Sequence, residues 1–326
     1  MLKNLNNLFK KKIMLPPFKQ ITIAIIAYHS DFSLLERLLE SIVKHCKVEQ
    51  ISSIQVVLND QAIYLPQLKI LLDQYPSIPL VLVPSYDLEP VITEYFNWNT
   101  QQLFKCLISN KIDTGWFLIH DCKDYYTANV DLLADCFTPE GKALMKLDHT
   151  QYSDYNRHGG GLLPFNLAHE IACNVWGVDS NDTAKWHLPT TTPFFVKTQM
   201  MKDMVTELKS MIRGFFPYLF NLSINEQRVA TEFLLYTAYC TRQNNLEDYS
   251  DWGRNFTYYK KIKQSKDLRI SFPDNPVLDQ KYFTNGKIWQ WNGKTWDTAV
   301  QTHMHDAEPP VDTIGKVRSF KGTDGN

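Results

Sequence analysis

The chain has 326 residues, of which 44% are apolar and 21% charged, with a formal net charge of −1. That length fits one large domain or two smaller ones, and the composition is that of a folded globular chain. A balance this near zero supplies no electrostatic case for nucleic acid, and no partner of that kind is expected. The longest apolar runs fall short of the roughly 18 residues a membrane span requires.

The six cysteines, at 46, 106, 122, 136, 173 and 240, form neither a CxxC pair nor a zinc-ligand spacing. Free thiols in a reducing cytoplasm are expected. The 8 tryptophans and 16 tyrosines suit a carbohydrate or nucleobase binder, and equally an aromatic core.

Residues 1–19 carry five lysines and no acid, with Leu2, Leu5, Leu8 and Phe9 on one helical face. They read as a basic leader. It is either disordered or a short amphipathic helix making weak contact with an anionic membrane surface. From residue 20 strands and helices alternate. ITIAIIAY (21–28) is a β-branched apolar run of the kind buried in parallel sheets. His29-Ser30-Asp31 ends it, and Asp31 or Ser33 is placed to cap the helix FSLLERLLESIVKHC. ISSIQVVLND (51–60) is a second strand ending in Asn59 and Asp60, followed by the helix LPQLKILLDQY. IPLVLVPS (78–85) is a third strand and NTQQLFKCLISNKI (99–112) a third helix. WFLIHD is a fourth strand. The order predicts an α/β fold with a mostly parallel, Rossmann-like sheet and helices on both faces.

Regularity falls after residue 128. Residues 154–166, with Gly159 to Gly161, read as a flexible loop, where His158 is a candidate lid residue. Residues 185–198 read as a loop entering a strand; 198–212 and 224–240 read as helices. Residues 246–271 read as a linker or surface segment. In 272–300 two Asn-Gly pairs stand between aromatic and β-branched residues, which predicts a small β-meander carrying Trp289, Trp291 and Trp296. An irregular tail, 301–326, includes His303 and His305, neither taken as a metal ligand.

The segment GWFLIHDCKDYYT (115–127) carries the main functional signal. A buried strand delivers Asp121 at its C-terminal edge, where open α/β sheets bind ligands. Lys123 and Asp124 follow at once, and Cys122 is read as an inert small side chain. Tyr28, His29 and Asp31 end the first strand, and Asn59 and Asp60 the second; both loops are placed to meet base and ribose. Glu232 stands in an apolar helical stretch, where burial would raise its pKa and suit it as a base toward a hydroxyl.

Five ordered segments, YHSDFSLLERLLESI, WNTQQLFKC, FLIHDCKDYY, TTTPFFV and TEFLLY, resemble the motifs of an uncharacterised bacterial and viral branch of GT-A-like glycosyltransferases. The resemblance spans residues 20–245. It implies one GT-A-like domain that takes a nucleotide-sugar donor and a glycan or other hydroxyl acceptor. It also implies that Gln101 and Lys105 approach the donor, although the helix alone reads as a solvated face. Thr191, Thr192 and Pro193 are expected on the acceptor side. Asp121, Glu232 and Lys123 are the catalytic candidates. The GT-A pattern implies a divalent cation, Mn or Mg, with Asp121 and Asp124 as ligands. The sequence departs from Asp-x-Asp, reading Asp121-Cys122-Lys123-Asp124, so Lys123 is an alternative source of positive charge. Residues 272–300 resemble a small phage tail-protein module, which would place the chain in a host cytoplasm. A non-catalytic glycan- or virion-binding protein on a degenerate transferase fold is the competing expectation. A nucleotidyltransferase would need a phosphate-cradling glycine loop after the first strand, and YHSDFS has none.

Overall fold

The computed structural model describes residues 15–90, 96–145, 147, 165–180, 188–211 and 231–251, with the backbone alone for strands at 262–264, 281–284, 287–291 and 296–298. Ile21–Ala27 (β1) is buried at all seven positions, as a central parallel strand covered on both faces must be. Phe32–His45 (α1) turns Phe32, Leu35, Leu38, Leu39 and Ile42 inward at helical spacing. Ile51–Leu58 (β2), Leu65–Leu72 (α2) and Leu80–Pro84 (β3) follow. Trp98–Leu107 (α3) leads to Trp116–His120 (β4), another fully buried strand. The helix predicted at 99–112 stops early, and a 3-10 turn, Ile108–Lys111, completes the span. Its start is fixed by a capping box between Asn97 and Thr100, which satisfies the first free amides.

The five-stranded sheet runs β3-β2-β1-β4-β7, where β7 is Phe194–Lys197. β1 pairs in parallel with β2 and β4, while β7 is antiparallel to β4, with Phe117 opposite Val196. The chain first steps outward from β1 to β3, then returns across β1 to β4. Right-handed crossovers move the helix to the opposite face when that direction reverses. Accordingly α1 neighbours α2, whereas α3 packs with Thr198–Met211 (α5) and Glu232–Arg242 (α6). The reversal leaves a crevice between the C-terminal ends of β1 and β4, the place where such sheets bind ligands.

Phe165–Trp176 (α4), not anticipated from sequence, packs on α6 and buries Ala168, Ala172 and Trp176; the Trp176 indole donates to the Leu235 carbonyl at 3.0 Å. The helix predicted at 224–240 is described from Glu232 onward, with Thr231 as its N-cap accepting from the Leu234 amide; residues 224–230 lie outside the described set. Three-residue strands extend the structure: Asp124–Tyr126 (β5) pairs with Ile262–Gln264 (β9), and Ala143–Met145 (β6) with Tyr249–Asp251 (β8). The expected C-terminal meander is present as Lys281–Thr284 (β10), Lys287–Trp291 (β11) and Trp296–Thr298 (β12), antiparallel, with Trp291 in register with Trp296 and β10 running close to α2. Its Asn-Gly turns, residues 1–14, His158 with its glycines, and the tail with His303 and His305 lie outside the described residues.

Candidate functional site

Packing of β1 against β4 sets Ile26 beside Asp121 and Cys122 at the mouth of the crevice. There a cavity of about 460 Å³ opens, with Trp98, Gln101, Gln102 and Lys105 of α3 along one side. Thr190 to Thr192, Thr231 and Glu232 close it, and Asp31 and Lys123 stand at its edge. Asp31 occupies the N-cap position of α1 yet makes no side-chain cap bond there, so its carboxylate is left to the cavity. Burial raises the Asp31 carboxyl, and the negative charge of Asp121 adds to the effect.

The centre of the site is an ion network between three elements. Lys105 Nζ lies 3.0 Å from Glu232 Oε1 and 3.5 Å from Asp121 Oδ1, and Lys123 Nζ lies 3.2 Å from Asp121 Oδ2. Lys105 and Glu232 are almost wholly buried, at 6% and 1% side-chain exposure, so neither ion has bulk water to solvate it. Burial pushes the Lys105 ammonium toward losing its proton, but the two carboxylates outweigh this and raise its pKa. Burial likewise raises Glu232, against the pull of Lys105. Burial would raise Asp121 too; there Lys105 and Lys123 win and hold it at about 2. Asp121 is therefore ionised throughout the physiological range. The Lys105 ammonium also lies 5.0 Å from the Phe233 ring centroid.

Glu232 Oε2, on this network, is buried without a hydrogen-bond partner, and the nearest cation to Asp121 Oδ1 is the Lys105 ammonium at 3.5 Å. A buried acceptor left unpaired is costly, and both residues line the cavity.

Of the residues singled out by sequence, Asp31, Gln101, Lys105, Asp121, Lys123, Thr191, Thr192 and Glu232 line the cavity, and Tyr28, His29, Asn59, Asp60, Asp124 and Pro193 do not. His29 and Asp60 form their own pair outside it: Nδ1 is 2.5 Å from Asp60 Oδ2, and the half-exposed imidazole stacks on Tyr64 at 4.2 Å. Burial, with the charges of Asp60 and Asp31, pushes the Tyr28 hydroxyl up to about 12, so it stays a neutral donor. Asn59 is wholly buried; its amide donates to the Asn97 carbonyl and its Oδ1 accepts from Thr100, tying β2 to the start of α3. Pro193 is buried behind Thr192, to which it is joined by a cis peptide bond.

Asp124 is buried, and its Oδ2 accepts from Thr192 Oγ1 at 2.9 Å. The fully buried His120 lies beneath it, with Nδ1 4.0 Å from the same oxygen and Nε2 2.8 Å from the Tyr126 hydroxyl. The divalent ion implied by the GT-A pattern does not fit this donor set. Asp124 is turned into the Thr192 contact, the Lys105 ammonium takes the place between Asp121 and Glu232, and no three His, Cys, Asp or Glu among the described residues are grouped to hold a metal.

Trp98, Gln102, Thr231 and Phe233 are cavity residues to which sequence reasoning gave no role, while Thr190 belongs to the TTTPFF loop, 190–195, expected on the acceptor side. Trp98 and Gln102 belong to the same WNTQQLFKC segment as Gln101 and Lys105, where only positions 101 and 105 were expected to share a face. Gln102 Nε2 donates to the Trp98 carbonyl at 3.0 Å, which holds the amide beside the cavity. Cys122 is buried and its thiol pKa is pushed up by burial, in keeping with an inert side chain. All six cysteines are free.

A family model described as a family of unknown function, DUF6492, matches residues 20–283, and the chain belongs to that family. No curated protein matches the chain. Among solved structures it is similar to mouse xyloside xylosyltransferase 1 in its apo form, at 9% identity and a TM-score of 0.40 over 76% of this chain and 97% of that one. It is also similar to the mannosyltransferase Ktr4p of S. cerevisiae, at 10% identity and a TM-score of 0.40 over 68% and 65% of the two chains. TarS of S. aureus matches at 14% identity and a TM-score of 0.36 over 68% of this chain, which spans 34% of TarS. Scores this low do not establish a common fold.

Proposed function

We propose that the protein is a glycosyltransferase that moves a sugar from a nucleoside-diphosphate sugar to an acceptor hydroxyl on a glycan or another surface component. The observation that carries this reading is the pair of carboxylates, Asp121 and Glu232, bridged by Lys105 and lining one cavity at the β1/β4 switch point. Acceptor atoms so placed are suited to sugar hydroxyls. The nucleoside lies over His29, Asp60 and Tyr28, where carboxylate and phenol meet ribose hydroxyls and the stacked imidazole meets the base. Lys123, half exposed at the cavity mouth, faces the diphosphate as it leaves. Lys105 supports Asp121 and Glu232 from behind. Glu232, its carboxyl pKa raised by burial, takes the proton of the acceptor hydroxyl as the new bond forms. Thr191 and Thr192 line the acceptor side, with Pro193 backing them. No step runs through a metal ion.

Free thiols suit a reducing compartment, which supports a cytoplasmic location. Among the described residues no helix is long and apolar enough to cross a membrane.

One observation favours the competing reading of a non-catalytic glycan binder: the second carboxylate of the Asp-x-x-Asp segment is committed to Thr192. The two readings part on a transfer assay. Asp121→Ala and Glu232→Ala are each expected to abolish sugar transfer at a temperature where the variant is still folded. Full transfer by both variants would show the assigned site to be wrong. Glycan binding without nucleotide binding would favour the second reading.

A further inference from the structure

The charge around the cavity bears on which sugar enters it. Asp31, Asp121 and Glu232 contribute three carboxylates to the lining, against the two ammonium groups of Lys105 and Lys123. Lys105 is already engaged by Glu232 and Asp121, and Lys123 stands against Asp121 at the exposed rim. The deep end thus holds no uncommitted cation among the described residues. Its acceptors are the carboxylates of Asp121 and Glu232, and Glu232 Oε2 has no hydrogen-bond donor. Gln101 and Trp98 line the same cavity.

We infer that this cavity selects an uncharged sugar and rejects anionic ones such as uronates. Resting on the glycosyl-transfer reading, this names the class of donor sugar within it. A neutral pyranose offers hydroxyl donors to the Asp121 and Glu232 carboxylates and an apolar face to Trp98. A sugar carboxylate brings no donor at neutral pH. It would be set beside two carboxylates, where like charges repel. Selection then comes from what the site repels as much as from what it binds.

The test uses the full chain and matched donors on one nucleotide: UDP-glucose against UDP-glucuronate, and GDP-mannose against GDP-mannuronate, with UDP and GDP alone as references. Ligand-induced shifts in melting temperature are titrated in EDTA and again in Mn²⁺. In the matched pair whose nucleotide binds, the neutral sugar is expected to bind at least tenfold more tightly than the uronate. The uronate should add nothing to the shift given by the bare diphosphate. Glu232→Gln removes one carboxylate while its amide oxygen still accepts from Lys105, and should narrow the ratio several-fold. Equal or tighter binding of the uronate overturns the inference and leaves the transferase reading standing. A ratio unchanged in Glu232→Gln also overturns it. Absence of a shift with any of the nucleotides or donors overturns both.

Discussion

Replacing Lys105 by Met keeps the length of the side chain and deletes its charge. In the wild type the ammonium lies 3.0 Å from Glu232 Oε1 and 3.5 Å from Asp121 Oδ1, with Glu232 only 1% exposed. Deleting one member of a buried ion group leaves the others uncompensated and costs about 3–5 kcal/mol. For a chain of this size that is a fall in melting temperature on the order of 10 °C. The cost should shrink at low pH. Without Lys105, burial and the negative charge of Asp121 raise the Glu232 carboxyl further above the unfolded value. The folded chain then holds a proton that the unfolded chain releases as pH rises through the ordinary carboxylate range. The stability lost therefore grows between about pH 4 and neutrality and is smallest at acid pH. Urea denaturation of Lys105→Met at pH 5 and at pH 7.5 measures this. Adding Glu232→Gln to the variant should recover a large part of the loss, because the uncompensated charge goes with it. A loss under about 1 kcal/mol at pH 7.5, equal at both pH values and unrelieved by Glu232→Gln, would refute the buried-network account.

His120 should give the wild type a second acid-sensitive contribution. Burial lowers its pKa to about 4 from the ordinary 6.5, so the unfolded chain takes up a proton across that window and the folded chain does not. Stability from this residue is complete above pH 6.5, and about 3 kcal/mol is lost as pH falls through 4; His120→Gln should flatten that limb of the stability curve. Asp124→Asn keeps an acceptor for Thr192 Oγ1 and should retain most transfer activity. Asp124→Ala frees the Thr192 hydroxyl from that contact and should raise KM for the acceptor more than it lowers kcat; equal effects of the two variants would contradict a positioning role. Asp121→Asn and Glu232→Gln should each lower kcat by roughly 10²–10⁴-fold, measured as release of nucleoside diphosphate well below the variant's melting temperature, since each also takes a counter-charge from the buried Lys105.

The central sheet was legible because continuous β-branched runs such as 21–28 and 116–120 have no other use than a strand covered on both faces. Asp121 was legible for the same reason, as the charge that ends such a run. Glu232 announced itself as a carboxylate within TEFLLY and is buried against Lys105. Lys105 itself was not readable from its helix, where a lysine ordinarily marks a solvated face. A sign of its burial lies in its neighbours Leu103, Phe104, Cys106 and Leu107, all buried, which leave α3 little solvent face over that turn. Asp124 illustrates a limit of spacing. Three residues after Asp121 it looked able to share an ion, yet the Asp124 amide donates to the Asp121 carbonyl at 3.1 Å and the tight turn sends the chain into β5. β5 buries Asp124 and Tyr126 together, and Thr192, far along the chain, completes the contact. Three-residue strands such as β5, β6 and β8 have no periodicity to detect. The helix α4 was detectable, since its buried Ala168, Ala172, Cys173 and Trp176 fall on one face.

The most direct test of glycosyl transfer is mass spectrometry of an acceptor glycan array after incubation with the full chain and a panel of nucleoside-diphosphate sugars. The expected result is the mass of one sugar residue added to a subset of glycans with one donor, and no addition by Asp121→Ala or Glu232→Ala. Addition of a phosphoryl or nucleotidyl mass, or glycan retention without any mass change for every donor, would contradict the account.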